Sequence, residues 1–182
     1  MLRVLSVNWH LLVIRALLSI AFGLFLLVWT HLTIGTLVIL FGWYAIWDGT
    51  FAFILALRTK GLAGHGSLLF EASVSFLIGV VTIALSPMGA MPLLSLIATW
   101  VVLRGIAAIT AGIELAQELA GEWPLLLAGA LSILTGPLII WNPQRGALTS
   151  ALILSLHALI VGLALLTLGL RIRRFADEIR VS

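Results

Sequence analysis

Six long apolar runs, separated by short polar or turn-forming breaks, dominate this chain: residues 9–29, 33–57, 67–86, 92–113, 123–141 and 147–170. A helical residue rises ~1.5 Å and bilayer hydrocarbon is ~30 Å thick, so about 20 apolar residues span it. None of the runs shows the period-2 alternation of a barrel strand. In lipid each backbone N–H and C=O has to find its partner within the segment. The pattern therefore predicts an all-α, polytopic membrane protein with six transmembrane helices. The breaks carry turn chemistry, with Ser86, Pro87, Met88 and Gly89 between the third and fourth runs and Asn142-Pro143 between the fifth and sixth. Pro92 and Pro124 stand where a first helical turn tolerates a missing N–H, and Pro137 inside the fifth run predicts a kink. The polar stretches at 58–66, 114–122 and 171–182 are too short for a second domain, so 1–182 reads as a single transmembrane domain. Arg3 ahead of an apolar run resembles a signal peptide. With no small-residue cleavage site after it, the run reads as a retained first helix.

The chain is one hairpin written three times, at about 9–57, 67–113 and 123–170. Ala16, Ser19 and Gly23 recur as Ala72, Ser75 and Gly79, and again as Gly129, Ser132 and Gly136, at offsets of 56 and then 57. The even runs repeat at the same offsets. Gly42, Gly49 and Ala56 match Ala98, Gly105 and Gly112, then Ser155, Gly162 and Gly169. Burying leucine against leucine gains little in lipid, whereas small residues let backbones approach closely. A seven-residue spacing keeps them on one seam, so these positions read as helix packing. Ser19, Ser75 and Ser132 can bond a carbonyl of their own helix or a neighbour. Two spans per repeat bring every repeat in from the same side, as parallel repeats about a pseudo-three-fold axis.

Charge changes the picture in two ways. The loops and ends expected on one side hold seven basic residues (Arg3, Arg58, Lys60, Arg171, Arg173, Arg174 and Arg180), against Arg145 alone on the other. That bias predicts cytoplasmic N- and C-termini. Trp9, Trp29, Trp123 and Trp141 at run ends read as interfacial anchors. Within the runs lie Arg15, Asp48, Glu71 and Arg104, whose charges sum to zero. A lone charge at mid-helix costs at least ~2.5–3.5 kcal/mol on insertion scales, so the four should face inward and pair. In register, Arg15 matches Glu71 and Ala128, and Asp48 matches Arg104 and Val161. Pairing within hairpins (Arg15 with Asp48, Glu71 with Arg104) keeps each neutral during insertion and is the expectation. Pairing between hairpins also balances. Either arrangement reads as a structural ion pair or as a proton or ion relay.

Composition closes off other classes. Apolar residues make up 62% of the chain and charged residues 9%, and the mean hydropathy is +1.24, which excludes a soluble globule and a disordered chain. The net charge of +3 sits mostly outside the apolar runs and does not point to nucleic acid. With no cysteine and no metal-ligand spacing, no metal or cofactor is expected. No nucleophile elbow, phosphate loop or dinucleotide fingerprint appears, so no catalytic residue is assigned. Of the histidines, His10, His31, His65 and His157, two are candidates for a response to pH: His31 in an outer turn and His157 in the sixth run, in register with Tyr44 and Trp100. Glu114, Glu118 and Glu122 recur every four residues as an acidic stripe, if the fourth helix runs that far.

Three tandem two-helix repeats, Trp9 before the first span, small-x2-Ser-x3-Gly in the odd helices, prolines in the outer turns and Asp48-Gly49 in an even helix together resemble the HdeD family. Those are small bacterial inner-membrane proteins associated with acid resistance. His31 departs from the family's outer-turn proline, standing in register with Pro87. The resemblance implies a non-enzymatic inner-membrane protein that assists acid or general stress resistance. A small proton or solute transporter or channel is the second reading. A scaffold or accessory subunit of a larger membrane complex is the third. The lipid bilayer is the expected partner, with a homo-oligomer or larger complex left open.

Overall fold

The computed structural model describes residues 2–29, 33–59, 65–86, 90–116, 123–141 and 146–181. They form six helices: α1 (Leu2–Val28), α2 (Ile34–Arg58), α3 (His65–Ala84), α4 (Ala90–Ala116), α5 (Trp123–Trp141) and α6 (Gly146–Val181). Local chemistry sets several ends. Thr33 caps α2, its hydroxyl accepting from the Thr36 N–H at 3.3 Å. At the other end the Thr59 N–H closes on the carbonyls of Leu55 and Ala56, and Arg58 sits in the last turn, where a cation suits the helix dipole. α5 continues through Pro137 to Trp141.

Five helices are long and apolar enough to cross a membrane. The sixth, α5, has 19 residues, or ~28 Å of helix. It lies antiparallel to α4, with Gly112 beside Leu126, Gly105 beside Gly129 and Gly136 beside Ala98. The membrane helices continue further at the end that carries both termini than the apolar runs predict. α1 begins at Leu2, and α6 runs to Val181 through the stretch read as a polar tail. A polar composition does not end a helix that still has something to pack on. Ile172 is fully buried, and the Arg173 guanidinium lies 4.9 Å from the Trp9 ring centroid.

The helices form a ring in the order α1, α2, α3, α4, α5, α6, with α6 returning to α1. The small-residue seams do not lie within hairpins. They join the even helix of one repeat to the odd helix of the next, with α6 packing on α1 as the third instance. The contact is the same each time. A Cβ built on Gly49, Gly105 or Gly162 would stand 3.0, 2.7 or 3.1 Å from the carbonyl oxygen of Ala72, Gly129 or Ala16. One built on Gly23, Gly79 or Gly136 would stand 2.9, 2.8 or 2.9 Å from that of Ser155, Gly42 or Ala98. These are reciprocal backbone approaches that leave no room for a methyl group, as lipid-embedded association favours. The even helices form the inner layer. In α2, α4 and α6, 50%, 50% and 56% of the span is buried, against 33% for α1 and 28% for α3. Large apolar side chains such as Leu17, Leu77 and Leu134 face outward on the odd helices, as a lipid surface requires.

Candidate functional site

Along the axis the inner helices stack equivalent residues in layers. Towards the end away from the termini, Phe41, Ile97 and Leu154 fill the centre with Leu37 and Leu93, all buried. The next layer is Tyr44, Trp100 and His157, one aromatic ring from each repeat. Trp100 meets Tyr44 and His157 edge-on at 6.0 and 6.3 Å between centroids. Each of the three also reaches the serine of its own hairpin, 25 residues earlier. The Tyr44 hydroxyl donates to Ser19 Oγ and the Trp100 indole N–H to Ser75 Oγ, both at 3.0 Å. His157 Nδ1 lies 3.4 Å from Ser132 Oγ. Small-residue seams thus join the repeats, while a polar latch joins the two helices of each.

One turn further along lie Asp48 and Arg104, with Arg15 and Glu71 reaching in from the outer helices. Arg15 grips Asp48 with two parallel bonds, Nε to Oδ1 and Nη2 to Oδ2, each 3.2 Å. Its Nη2 also donates to Glu71 Oε1 at 2.6 Å. Arg104 meets the same Asp48 carboxylate at 3.1 Å, and its Nε lies 3.6 Å from Glu71 Oε1. Each cation therefore faces both anions and each anion both cations. The expectation of pairs confined to hairpins is corrected here. The within-hairpin and between-hairpin pairings coexist as one closed ring, because the inner helices bring Asp48 and Arg104 together on the axis. Asp48, Arg15 and Arg104 are all but fully buried, and Glu71 keeps 14% of its side chain exposed.

Removing four charges from water costs several kcal/mol per ion unless geometry and extra hydrogen bonds compensate. Here they do. The Arg104 Nη1 donates to the Tyr44 hydroxyl at 3.1 Å, Tyr44 donates to Ser19, and Ser19 donates to the Ala158 carbonyl at 2.8 Å. The Arg104 guanidinium also lies 4.9 Å from the Trp100 ring centroid. Tyr44 and Trp100 are the functional residues missed by reading charges alone. Their signal was the register of positions 44, 100 and 157 against 19, 75 and 132. The third repeat puts Val161 and Ala128 at the ring's positions, so that sector is apolar.

Between the ring and the end bearing the termini lies a cavity of about 60 Å³. Its walls repeat in register (Leu12, Leu68 and Leu125; Leu55, Ala111 and Leu168), and Arg15, Glu71 and Arg104 form its polar roof. Asp48 is not among the lining residues.

A repeat that the structure uses three times should be visible to comparison with known families. The chain matches a short repeat of unknown function, DUF308, over residues 14–84, 70–141 and 127–181. It belongs to the DUF308 family. Successive DUF308 matches begin 56 and 57 residues apart, the same offsets as the hairpins. Each of the first two takes in three helices, α1 to α3 and α3 to α5, and so includes the tight seam to the next repeat. The third covers α5 and α6, and in the ring α1 occupies the place of its third helix. No curated protein and no solved structure matches the chain.

The remaining sequence candidates are dispersed. Ser19, Ser75 and Ser132 lie at the latches, and Gly23, Gly49, Gly79, Gly105, Gly136 and Gly162 in the seams. His157 is buried one layer from the charges. Glu114 accepts from Ser67 Oγ at 3.3 Å at the termini-bearing end. His31, Glu118 and Glu122 lie outside the described residues.

Proposed function

We propose that this DUF308 protein is a non-enzymatic, HdeD-type protein of the bacterial inner membrane, with both termini cytoplasmic, that assists survival under acid or related stress. One observation carries the reading. The only intramembrane charges among the described residues are gathered into a self-neutralised ring, and the ring meets a cavity through Arg15, Arg104 and one of its two carboxylates, Glu71. The basic bias of the termini and the 58–66 loop favours a cytoplasmic position for that cavity, where a fall in cytoplasmic pH would reach the ring. The sequence offers no nucleophile elbow, phosphate loop or dinucleotide fingerprint, in keeping with a non-enzymatic role.

The second reading, a small proton or solute transporter, draws on the same cavity. Against it stands the other half of the axis, filled by Phe41, Leu37, Leu93, Ile97, Trp100 and Leu154. The test is survival of a deletion strain in acid, complemented by wild type and by Asp48→Asn, alongside proton flux in reconstituted vesicles. Lost survival restored by wild type, with no flux, supports the first reading. Flux abolished by Asp48→Asn supports the second, and survival unaffected by deletion rejects the stress role.

A further inference from the structure

The ring is neutral as a whole, but the cavity does not see the whole ring. Two guanidiniums and one carboxylate form its roof, with Asp48 behind them, so the cavity faces an excess of positive charge. The third repeat contributes only apolar wall there, Leu125, Val161 and Leu165. Glu71 meets Arg15 Nη2 at 2.6 Å and Arg104 Nε at 3.6 Å through Oε1. Arg15 reaches Asp48 and Glu71 through Nε and Nη2. At roughly 15 Å³ per water, the cavity's 60 Å³ holds about four waters or a hydrated halide.

The geometry points to a binding site for one small monovalent anion of halide size, held by Arg15 and Arg104 in the cavity and occupied when Glu71 is protonated. With Glu71 ionised the ring sums to zero, and an added anion would leave a net negative charge inside the membrane. A proton delivered through cavity water to Glu71 removes the Arg15–Glu71 attraction and leaves two guanidiniums facing Asp48 alone. The ring is then one unit positive, and an anion at the roof restores neutrality. The groups that face Glu71 are Arg15 from α1 and Arg104 from α4, with Asp48 of α2 and the Tyr44 hydroxyl behind them on Arg104. On α3 itself His65 lies further towards the helix start, its Nδ1 2.9 Å from the Ala56 carbonyl oxygen. The inference builds on the acid-stress reading and adds a ligand to it.

By linkage, uptake of one proton with each anion tightens binding about tenfold for each pH unit lost above the protonation midpoint. The full-length protein in detergent, titrated calorimetrically with sodium bromide between pH 7.5 and 4.5, should show that tightening. In weak buffer each bromide bound should take up one proton. Glu71→Gln should bind bromide with the acid-form affinity at every pH. No saturable bromide binding, pH-independent binding by wild type, or a wild-type pH slope in Glu71→Gln would overturn the site. Should Glu71→Gln not fold, proton uptake by wild type decides alone. A strain that needs the protein in acid while the purified protein ignores bromide rejects the anion site and leaves the stress reading standing. Bromide binding without an acid phenotype does the reverse.

Discussion

At the scale of single residues, Asp48 is the member of the ring with most to lose. It contacts both guanidiniums and has almost no access to water. Asp48→Asn leaves Arg15 and Arg104 sharing only Glu71, a surplus cation inside the membrane. Breaking a buried pair in this way costs about 3–5 kcal/mol. The variant should lose its monodisperse peak on size exclusion at a markedly lower pre-incubation temperature than wild type. Adding Arg15→Gln to Asp48→Asn restores neutrality, with Arg104 left to face Glu71. The double variant should therefore be more stable than Asp48→Asn alone, a coupling that a double-mutant cycle reads directly. Tyr44→Phe keeps the ring and the ring stacking on Phe22 but removes the donor to Ser19 and the acceptor for Arg104. About 0.6–1.7 kcal/mol should be lost by the same thermal assay. The four charges were legible in the sequence because the insertion cost of each demands a partner, and the repeat register put them at matching depths. The closed ring was not, because both pairings balance the charges. Only the inner placement of α2 and α4 brings Asp48 and Arg104 into direct contact.

At the scale of elements, the seam glycines and the terminal glycines of the same helices make opposite predictions. A Cβ on Gly105 would stand 2.7 Å from the Gly129 carbonyl and 2.9 Å from the Ser132 side chain, so α4 and α5 would have to separate. Gly105→Ala should cost about 1–3 kcal/mol as overpacking, despite alanine's better helix propensity. Gly35, in the first turn of α2, has nothing within 4 Å of such a Cβ. Gly35→Ala should be neutral or slightly stabilising. Equal losses at both positions, measured by thermal inactivation in detergent, would mean that close backbone approach is not what holds the seam. Helix number and position were legible from the apolar runs, mostly to within a few residues. The far ends of α1 and α6 were not, since a polar stretch can stay helical when Ile172 and Trp9 still find packing. Which helices share a seam was also hidden. Small residues at Gly49 and at Ala72 announce that each helix comes close to something, and nothing in either names the other.

At the scale of the molecule, the ring allows a test of how it assembles. The first hairpin carries Arg15 and Asp48, and the second carries Glu71 and Arg104, so each can cross into lipid as a neutral unit. Docking then adds Arg15 to Glu71 and Arg104 to Asp48 at 2.6 and 3.1 Å, while the seams α2–α3 and α6–α1 form on either side of the first hairpin. A break in the covalent chain between residues 60 and 61 leaves both seams, all four ion pairs and every hairpin latch in place. Two spans in the first fragment and four in the second, both even, also preserve orientation. Fragments 1–60 and 61–182, co-expressed, should therefore co-purify as a single complex. Asp48→Asn in the short fragment should reduce its recovery at least tenfold. A break between residues 31 and 32 is different in kind. It sends α1 into the membrane with Arg15 as a lone charge, at a cost of ~2.5–3.5 kcal/mol, and it reverses the entry of α2. That pair of fragments should assemble poorly, as measured by the yield of complex against total expressed chain. Equal yields from the two breaks would show that the hairpin is not the unit of insertion. Its internal neutrality would then be a consequence of the finished ring and not a step towards it.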